Sequence, residues 1–174
     1  EWAYVGIDDA VRARLRLDER TAKPTAFVEA VEQWPSDGVV VCDMAVAGYW
    51  VGGYARQPRP RRIQYPVGWG TLGYALPAAI GPASIGIPTL AVCGDGGPMF
   101  ALGELATIAQ HQLPVTLLIV DDGGYGMLRF DQQVFGHPER GIDLLTPNWA
   151  SLAQAFGIVH VEVGVDEVAD VLAD

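Results

Sequence analysis

The sequence holds only two cysteines and three histidines in 174 residues, and charged residues make up just 18% of it. Cys42 and Cys93 each close a short apolar run, Val39-Val40-Val41-Cys42 and Leu90-Ala91-Val92-Cys93. Thiols in such places are small buried hydrophobes, and a chain this poor in cysteine fits a reducing compartment rather than a disulfide-stapled scaffold. His111, His137 and His160 have no metal-ligand spacing with one another or with cysteine, and they read as structural. No stretch approaches the roughly 18 apolar residues of a membrane span, and no basic-then-apolar leader opens the chain. A cytoplasmic location is expected. Basic residues are scarce as well: 11 Lys and Arg stand against 21 Asp and Glu, a formal charge of −10. Such a surface repels a polyanionic backbone, so neither nucleic acid nor a membrane is an expected partner. No Gly-x-Gly-x-x-Gly opens the first strand–helix unit and no P-loop Gly-Lys-Ser/Thr occurs, which counts against an ordinary nucleotide-binding domain.

What is present is an apolar half of the chain, enough for one sizeable core. Residues 1–22 carry mixed charge around Arg12-Ala13-Arg14-Leu15-Arg16 and read as a lead-in helix or linker; a single compact domain is expected over 23–174. The start at Glu1 instead of methionine suggests a piece of a longer polypeptide. Within the domain, strand-like runs (Gly38 to Asp43, a short piece at Arg62 to Tyr65, Thr89 to Cys93, Val115 to Val120, Ile158 to Val163) alternate with helix-like ones. The helices are expected at Thr25 to Trp34, Leu72 to Ile85, about Met99 to His111, Trp149 to Phe156 and from Asp166 onward. The unbroken β-branched and leucine run Val115 to Val120 suits a strand covered on both faces. This order predicts an α/β fold, a doubly wound and mostly parallel sheet with helices on both faces. The basic segment Pro58 to Arg62 reads as a solvated loop, and Trp50 and Trp69 read as buried or interface packing.

Ligands of open parallel sheets sit at the carboxyl ends of strands, so the loops there are read first. One is Gly94-Asp95-Gly96-Gly97-Pro98 and another is Asp121-Asp122-Gly123-Gly124-Tyr125-Gly126. Each places a carboxylate among glycines that permit close backbone approach. Magnesium typically takes one or two carboxylates together with substrate phosphates, so Asp95 and Asp122 could hold Mg²⁺ against a diphosphate, with the N–H groups of Gly96 and Gly97 facing phosphate oxygens. Either loop taken alone reads equally well as an ordinary turn or helix cap.

Gly94-Asp95-Gly96, with the acidic doublet after the next hydrophobic strand, resembles the diphosphate-binding fingerprint of thiamine diphosphate enzymes. The run Gly70-Thr71-Leu72-Gly73-Tyr74-Ala75-Leu76-Pro77-Ala78-Ala79-Ile80-Gly81 is similar to the acetolactate synthase branch of that superfamily. So are Gly103-Glu104-Leu105-Ala106-Thr107 and Leu113-Pro114-Val115, in the same order. The resemblance spans Val39 to Phe156 and implies the C-terminal diphosphate-binding domain, with the thiamine diphosphate-binding fold. It also implies roles. Asp95, Asp122 and the backbone carbonyl of Gly124 would be the Mg²⁺ ligands, with Gly94, Gly96, Gly97 and Tyr125 in the same cofactor-binding loops. Gly70 and Leu72 match the segment beside the aminopyrimidine, Leu72 being the wedge that bends the cofactor, and Gly126 and Met127 match a pair facing the reaction space. The bend would bring the cofactor's own amine to its reactive C–H, while the protein supplies binding and orientation.

The resemblance further implies a full-length enzyme, a carboligase, decarboxylase or lyase, that makes or breaks a carbon–carbon bond next to the carbonyl of a small 2-oxo acid. No catalytic residue is expected in residues 1–174. The activating glutamate of this superfamily belongs to a separate pyrimidine-binding domain, from a second subunit of a homo-oligomer, and Glu104 matches only a packing or capping position. Two departures stand out. The family's paired asparagines are Asp121-Asp122 here, which should make cofactor affinity unusually dependent on Mg²⁺ and on pH. Val46-Ala47-Gly48 also replaces the Gln-His-Gln of acetolactate synthases, leaving backbone contacts only. A catalytically silent or regulatory relative and a generic nucleotide-binding α/β domain remain the alternatives.

Overall fold

The computed structural model describes residues 7–173. Four strands, β1 Val39–Cys42, β2 Ile63–Gln64, β3 Thr89–Gly94 and β4 Val115–Val120, form one sheet in the order β2-β1-β3-β4. Every pairing is parallel, and β3 runs beside β4 in unbroken register from Thr89 opposite Val115 to Gly94 opposite Val120. The helices are α1 Ile7–Leu17, α2 Glu19–Glu32, α3 Val46–Tyr54, α4 Ala75–Ala83, α5 Glu104–His111, α6 Gly126–Val134, α7 Trp149–Ala155 and α8 Val168–Ala173. None of the described helices is long and apolar enough to cross a membrane.

Side chains alternate across the sheet and so build two cores. Val40, Cys42, Leu90 and Val92 meet Phe27 and Val31 of α2, Val51 of α3 and Leu172 of α8. Val39, Val41, Ala91 and Cys93 meet Ala75 and Ala79 of α4, and Leu76 leads on to Leu105 and Ile108 of α5. The expected α/β architecture, a parallel sheet with helices on both faces, is therefore the observed one. Cys42 and Cys93 are free and lie on opposite faces of the sheet, and burial together with the neighbouring Asp43 pushes the Cys42 thiol up to about 12.

The winding places the site. From β1 the chain moves outward to β2, then returns past β1 to β3 and continues to β4. The carboxyl ends of β1 and β3 thus flank the point where the direction of winding reverses, the position at which open α/β sheets leave a crevice.

Several elements differ from expectation. The helix expected from Thr25 starts at Glu19, because Asp18 caps it by accepting the Arg20 N–H at 2.9 Å; Pro24 lies inside it. The expected division between residues 22 and 23 falls within this helix. Arg12 of α1 is buried, paired with Glu32 of α2 at 2.7 Å and bonded to the Tyr54 carbonyl of α3. The helix expected at Leu72 to Ile85 is shortened to Ala75–Ala83, bounded by Gly73 and Gly86, whose φ angles are +76° and +81°. The one expected over Met99 to His111 splits into a single 3₁₀ turn, Pro98–Phe100, and α5. The last helix, expected from Asp166, begins with a 3₁₀ turn at Val165–Glu167.

Ile158 to Val163 forms no strand. Its residues Ile158, Val159 and Val161 line, with Val115 to Ile119, a cavity of about 460 Å³, and the segment lies near β4 without pairing to it. Within the basic segment, Arg62 is not solvated. It is buried, and its guanidinium donates to the Trp34 and Pro35 carbonyls just past the end of α2. Trp69 is not buried either, at 91% exposed, while Trp50 stacks on Tyr54 with ring centroids 5.0 Å apart.

Leu76 is fully buried where α4 meets α5, and truncation there leaves a cavity. We expect Leu76→Ala to lower unfolding free energy by about 2–5 kcal/mol in urea titrations.

Candidate functional site

A cavity of about 260 Å³ opens at the carboxyl ends of β1, β3 and β4. Met44 to Ala47 enter it after β1, Gly94 to Gly97 after β3, and Asp122 with Gly124 to Leu128 after β4; Gly70 and Leu72 come from the turn before α4. All eleven cofactor-binding residues expected from the sequence line this one cavity: Gly70, Leu72, Gly94, Asp95, Gly96, Gly97, Asp122, Gly124, Tyr125, Gly126 and Met127. Leu72 is 36% exposed, so its apolar side chain is not used up by core packing.

Asp95 is the unusual member. It is 0% exposed, and both carboxylate oxygens lack a hydrogen-bond partner. Burial, then the charges of Asp122 and Asp121, push its carboxyl above the ordinary carboxylate range. The Asp95 and Gly96 amides lie close enough to offset part of this, but neither reaches hydrogen-bond geometry. An unpaired buried carboxylate costs on the order of 1–3 kcal/mol or more, a cost that a native fold retains where a ligand relieves it.

The acidic doublet splits in two. Asp121 is spent on structure, accepting the Gly123 N–H at 3.1 Å and the Trp149 indole N–H at 2.7 Å, which ties the loop to α7. Asp122 is exposed and faces the cavity. Its position is set by Gly126: a Cβ there would lie 2.2 Å from Asp122 Oδ2. The Gly124 carbonyl accepts the Gly126 N–H at 3.1 Å, which leaves it a second lone pair. Arg129 of α6 braces the loop, reaching the Asp122 carbonyl at 3.5 Å and the Asp143 carboxylate at 3.2 Å.

The loops interlock. The Tyr125 ring lies so close over Gly96 that a Cβ there would be 2.6 Å from it, which requires glycine at this point of the first loop. The amides of Gly96 and Gly97 donate to no protein acceptor among the described residues. They precede a single 3₁₀ turn, not the α-helix expected from the sequence, so individual N–H groups, with little helix dipole behind them, are what an anion would meet. No group of three or more His, Cys, Asp or Glu side chains able to hold a metal occurs among the described residues. Two carboxylates, a carbonyl and phosphate oxygens need none. Glu104 stays outside the cavity and accepts from Thr107 Oγ1 at 3.2 Å.

The sequence reading missed Asp43 as a distinct element and missed Asp131, which lines the cavity from α6, four residues after Met127 on the same helical face. The spacing from Met127 was the available signal. Asp43 is 1% exposed and accepts the Met44 N–H at 2.9 Å, the Gly73 N–H at 2.9 Å and the Tyr74 N–H at 3.3 Å. Burial raises its carboxyl, against the pull of those three amides.

A parallel α/β domain with an acidic, glycine-walled cavity at its switch point defines a cofactor-binding domain. Residues 43–174 match the family described as "Thiamine pyrophosphate enzyme, C-terminal TPP binding domain", and the chain belongs to that family. It is 32% identical over 162 residues to the acetolactate synthase isozyme 2 large subunit of Escherichia coli, covering 90% of this chain and 28% of that protein. It is 35% identical over 159 residues to the probable 2-ketoarginine decarboxylase of Pseudomonas aeruginosa, covering 83% and 28%. With the acetolactate synthase of Bacillus subtilis it shares 31% identity over 155 residues, covering 87% and 27%. The chain thus spans just over a quarter of the length of each of these relatives.

The Gly126 contact makes a test. We expect Gly126→Ala to displace the Asp122 carboxylate and to weaken ligand binding in this cavity by about tenfold, while thermal unfolding moves by only a few degrees. Calorimetric titration alongside thermal melts would measure both.

Proposed function

We propose that this domain binds thiamine diphosphate through Mg²⁺, with Asp95, Asp122 and the Gly124 carbonyl as the protein ligands of the metal. The observation that carries the reading is Asp95, buried and unpartnered in the wall of a cavity it shares with Asp122. A divalent cation supplies the charge that both carboxylates lack, and it leaves coordination positions for diphosphate oxygens and water. The free amides of Gly96 and Gly97 suit the same diphosphate, and the exposed Leu72 and half-buried Met127, both apolar and lining the cavity, suit its organic part.

When bound, thiamine diphosphate supplies the electron sink for breaking or forming a bond next to a carbonyl. The residues of this chain bind, orient and exclude water. On this reading the whole protein is a carboligase, decarboxylase or lyase acting on a small 2-oxo acid. The activating glutamate and the second wall of the site come from a pyrimidine-binding domain, on a second subunit of a homo-oligomer, in the cytoplasm. The relatives' names span both a synthase and a decarboxylase, so the reaction class is held at that breadth.

A dinucleotide domain fits less well. A Gly-x-Gly-x-x-Gly spacing does occur at Gly68 to Gly73, ahead of α4. There, however, Asp43 occupies the Gly73 and Tyr74 amides, and its carboxylate would repel a pyrophosphate from them.

We expect thiamine diphosphate to bind with Mg²⁺ present, and to lose at least about tenfold in affinity with chelator. NAD and ATP should not compete. A carboxyl pushed up in the folded state destabilises the fold above its folded value, and that cost is relieved as the pH falls toward the ordinary carboxylate value. The metal needs the charged form, so Mg²⁺ affinity should fall along the same descent, starting above the usual carboxylate range. Asp95→Asn should abolish the Mg²⁺ effect and leave the ligand-free protein as stable or more so. Equal affinity with and without chelator would refute the reading.

A further inference from the structure

Asp43 carries an inference that rests on the cofactor reading above and goes beyond it. Its side chain does not line the cavity, yet it touches three of the segments that do. It follows β1 directly, and its Oδ1 holds the Met44 N–H, which fixes the direction in which the chain leaves the strand. Its Oδ2 holds the Gly73 N–H and its Oδ1 the Tyr74 N–H, closing the turn that contains Gly70 and Leu72. On its other side the same carboxylate is seated against the glycine loop after β3. A Cβ on Gly97 would lie 2.1 Å from Asp43 Oδ2, so only a glycine allows the approach.

The turn at Gly73 also meets that loop directly, since a Cβ on Gly73 would lie 3.1 Å from the Gly97 carbonyl. With φ at +76° and Phe100 Cβ only 2.8 Å from the same point, position 73 admits no side chain, and the glycine lets the two segments pack this closely. The carboxylate is buried and short, with a single Cβ between it and the backbone. Charge-assisted bonds from amides to such a group are strong and leave little play. We propose that Asp43 is a positioning residue that sets the spacing between two walls. One wall, with Gly70 and Leu72, takes the aminopyrimidine end of the cofactor; the other, with Gly96 and Gly97, takes the diphosphate end.

A ligand that touches both walls depends on that spacing, whereas one that touches only the glycine loop does not. The test uses the full-length protein and compares thiamine diphosphate with inorganic diphosphate, each titrated calorimetrically with Mg²⁺. Asp43→Asn keeps the size of the side chain but turns one acceptor into a donor facing an amide. It should raise the Kd of thiamine diphosphate about tenfold or more and that of inorganic diphosphate less than about threefold, with a small change in melting temperature. Asp43→Ser, which keeps one oxygen acceptor, should show the same inequality to a smaller degree, and it supplies the reading should the Asn variant not fold. Equal losses for the two ligands would make Asp43 merely structural and overturn the proposal, as would a thiamine diphosphate Kd unchanged within about twofold. A parent protein that binds neither ligand would instead refute the cofactor reading itself, and the proposal with it.

Discussion

The site depends on one unsatisfied carboxylate. Asp95 is held at the tip of β3, sealed from solvent, with no donor for either oxygen. Other buried charges among the described residues have partners: Arg12 has Glu32, Arg62 has backbone carbonyls for its terminal nitrogen though not for Nε, and Asp43 has three amides. Asp95 instead has unsatisfied carboxylate oxygens, and the charges of Asp122 and Asp121 add to the negative potential around it. A cation relieves both at once.

The rest of the fold can be understood as what keeps that carboxylate where it is. Parallel strands bring three carboxyl ends to one edge, and the reversal of winding between β1 and β3 leaves the crevice open. Tyr125 from one loop covers Gly96 of the other, and Arg129 and Asp121 brace the second loop from outside. These contacts tie the loops that line the cavity to one another and to the helices behind them. The neighbouring aspartates have opposite tasks because the loop turns between them: Asp121 points back to α7 and Asp122 forward into the cavity.

Much of this was legible in the chain itself. Val115 to Val120 forms a strand as its β-branched and leucine run predicts, but β4 is an edge of the sheet and stays half-buried with Thr116 exposed, not covered on both faces as expected. The two loops could be singled out only through the blocks around them, Gly70 to Gly81 and Gly103 to Val115, because either loop alone reads equally well as a turn or cap. What failed has local causes. The helix after the glycine loop broke into a 3₁₀ turn. The end of the lead-in falls inside α2 because Asp18 caps that helix at Glu19 and its buried face, with Phe27 and Val31, holds it against the sheet despite Pro24. Ile158 to Val163 has the pattern of a strand, but a strand requires a ladder partner, and this segment pairs with none of the described strands. Asp43 was passed over because its value comes from contacts with residues 30 and more positions away, which no local pattern reveals.

The central claim is that a single cation bridges Asp95 and Asp122. A crystal of the full-length protein grown with thiamine diphosphate and Mn²⁺ in place of Mg²⁺ tests it most directly, through the anomalous scattering of manganese. The account predicts one peak coordinated by those two carboxylates, the Gly124 carbonyl and diphosphate oxygens. A manganese peak elsewhere, or an arginine or lysine from another domain paired with Asp95, would contradict it.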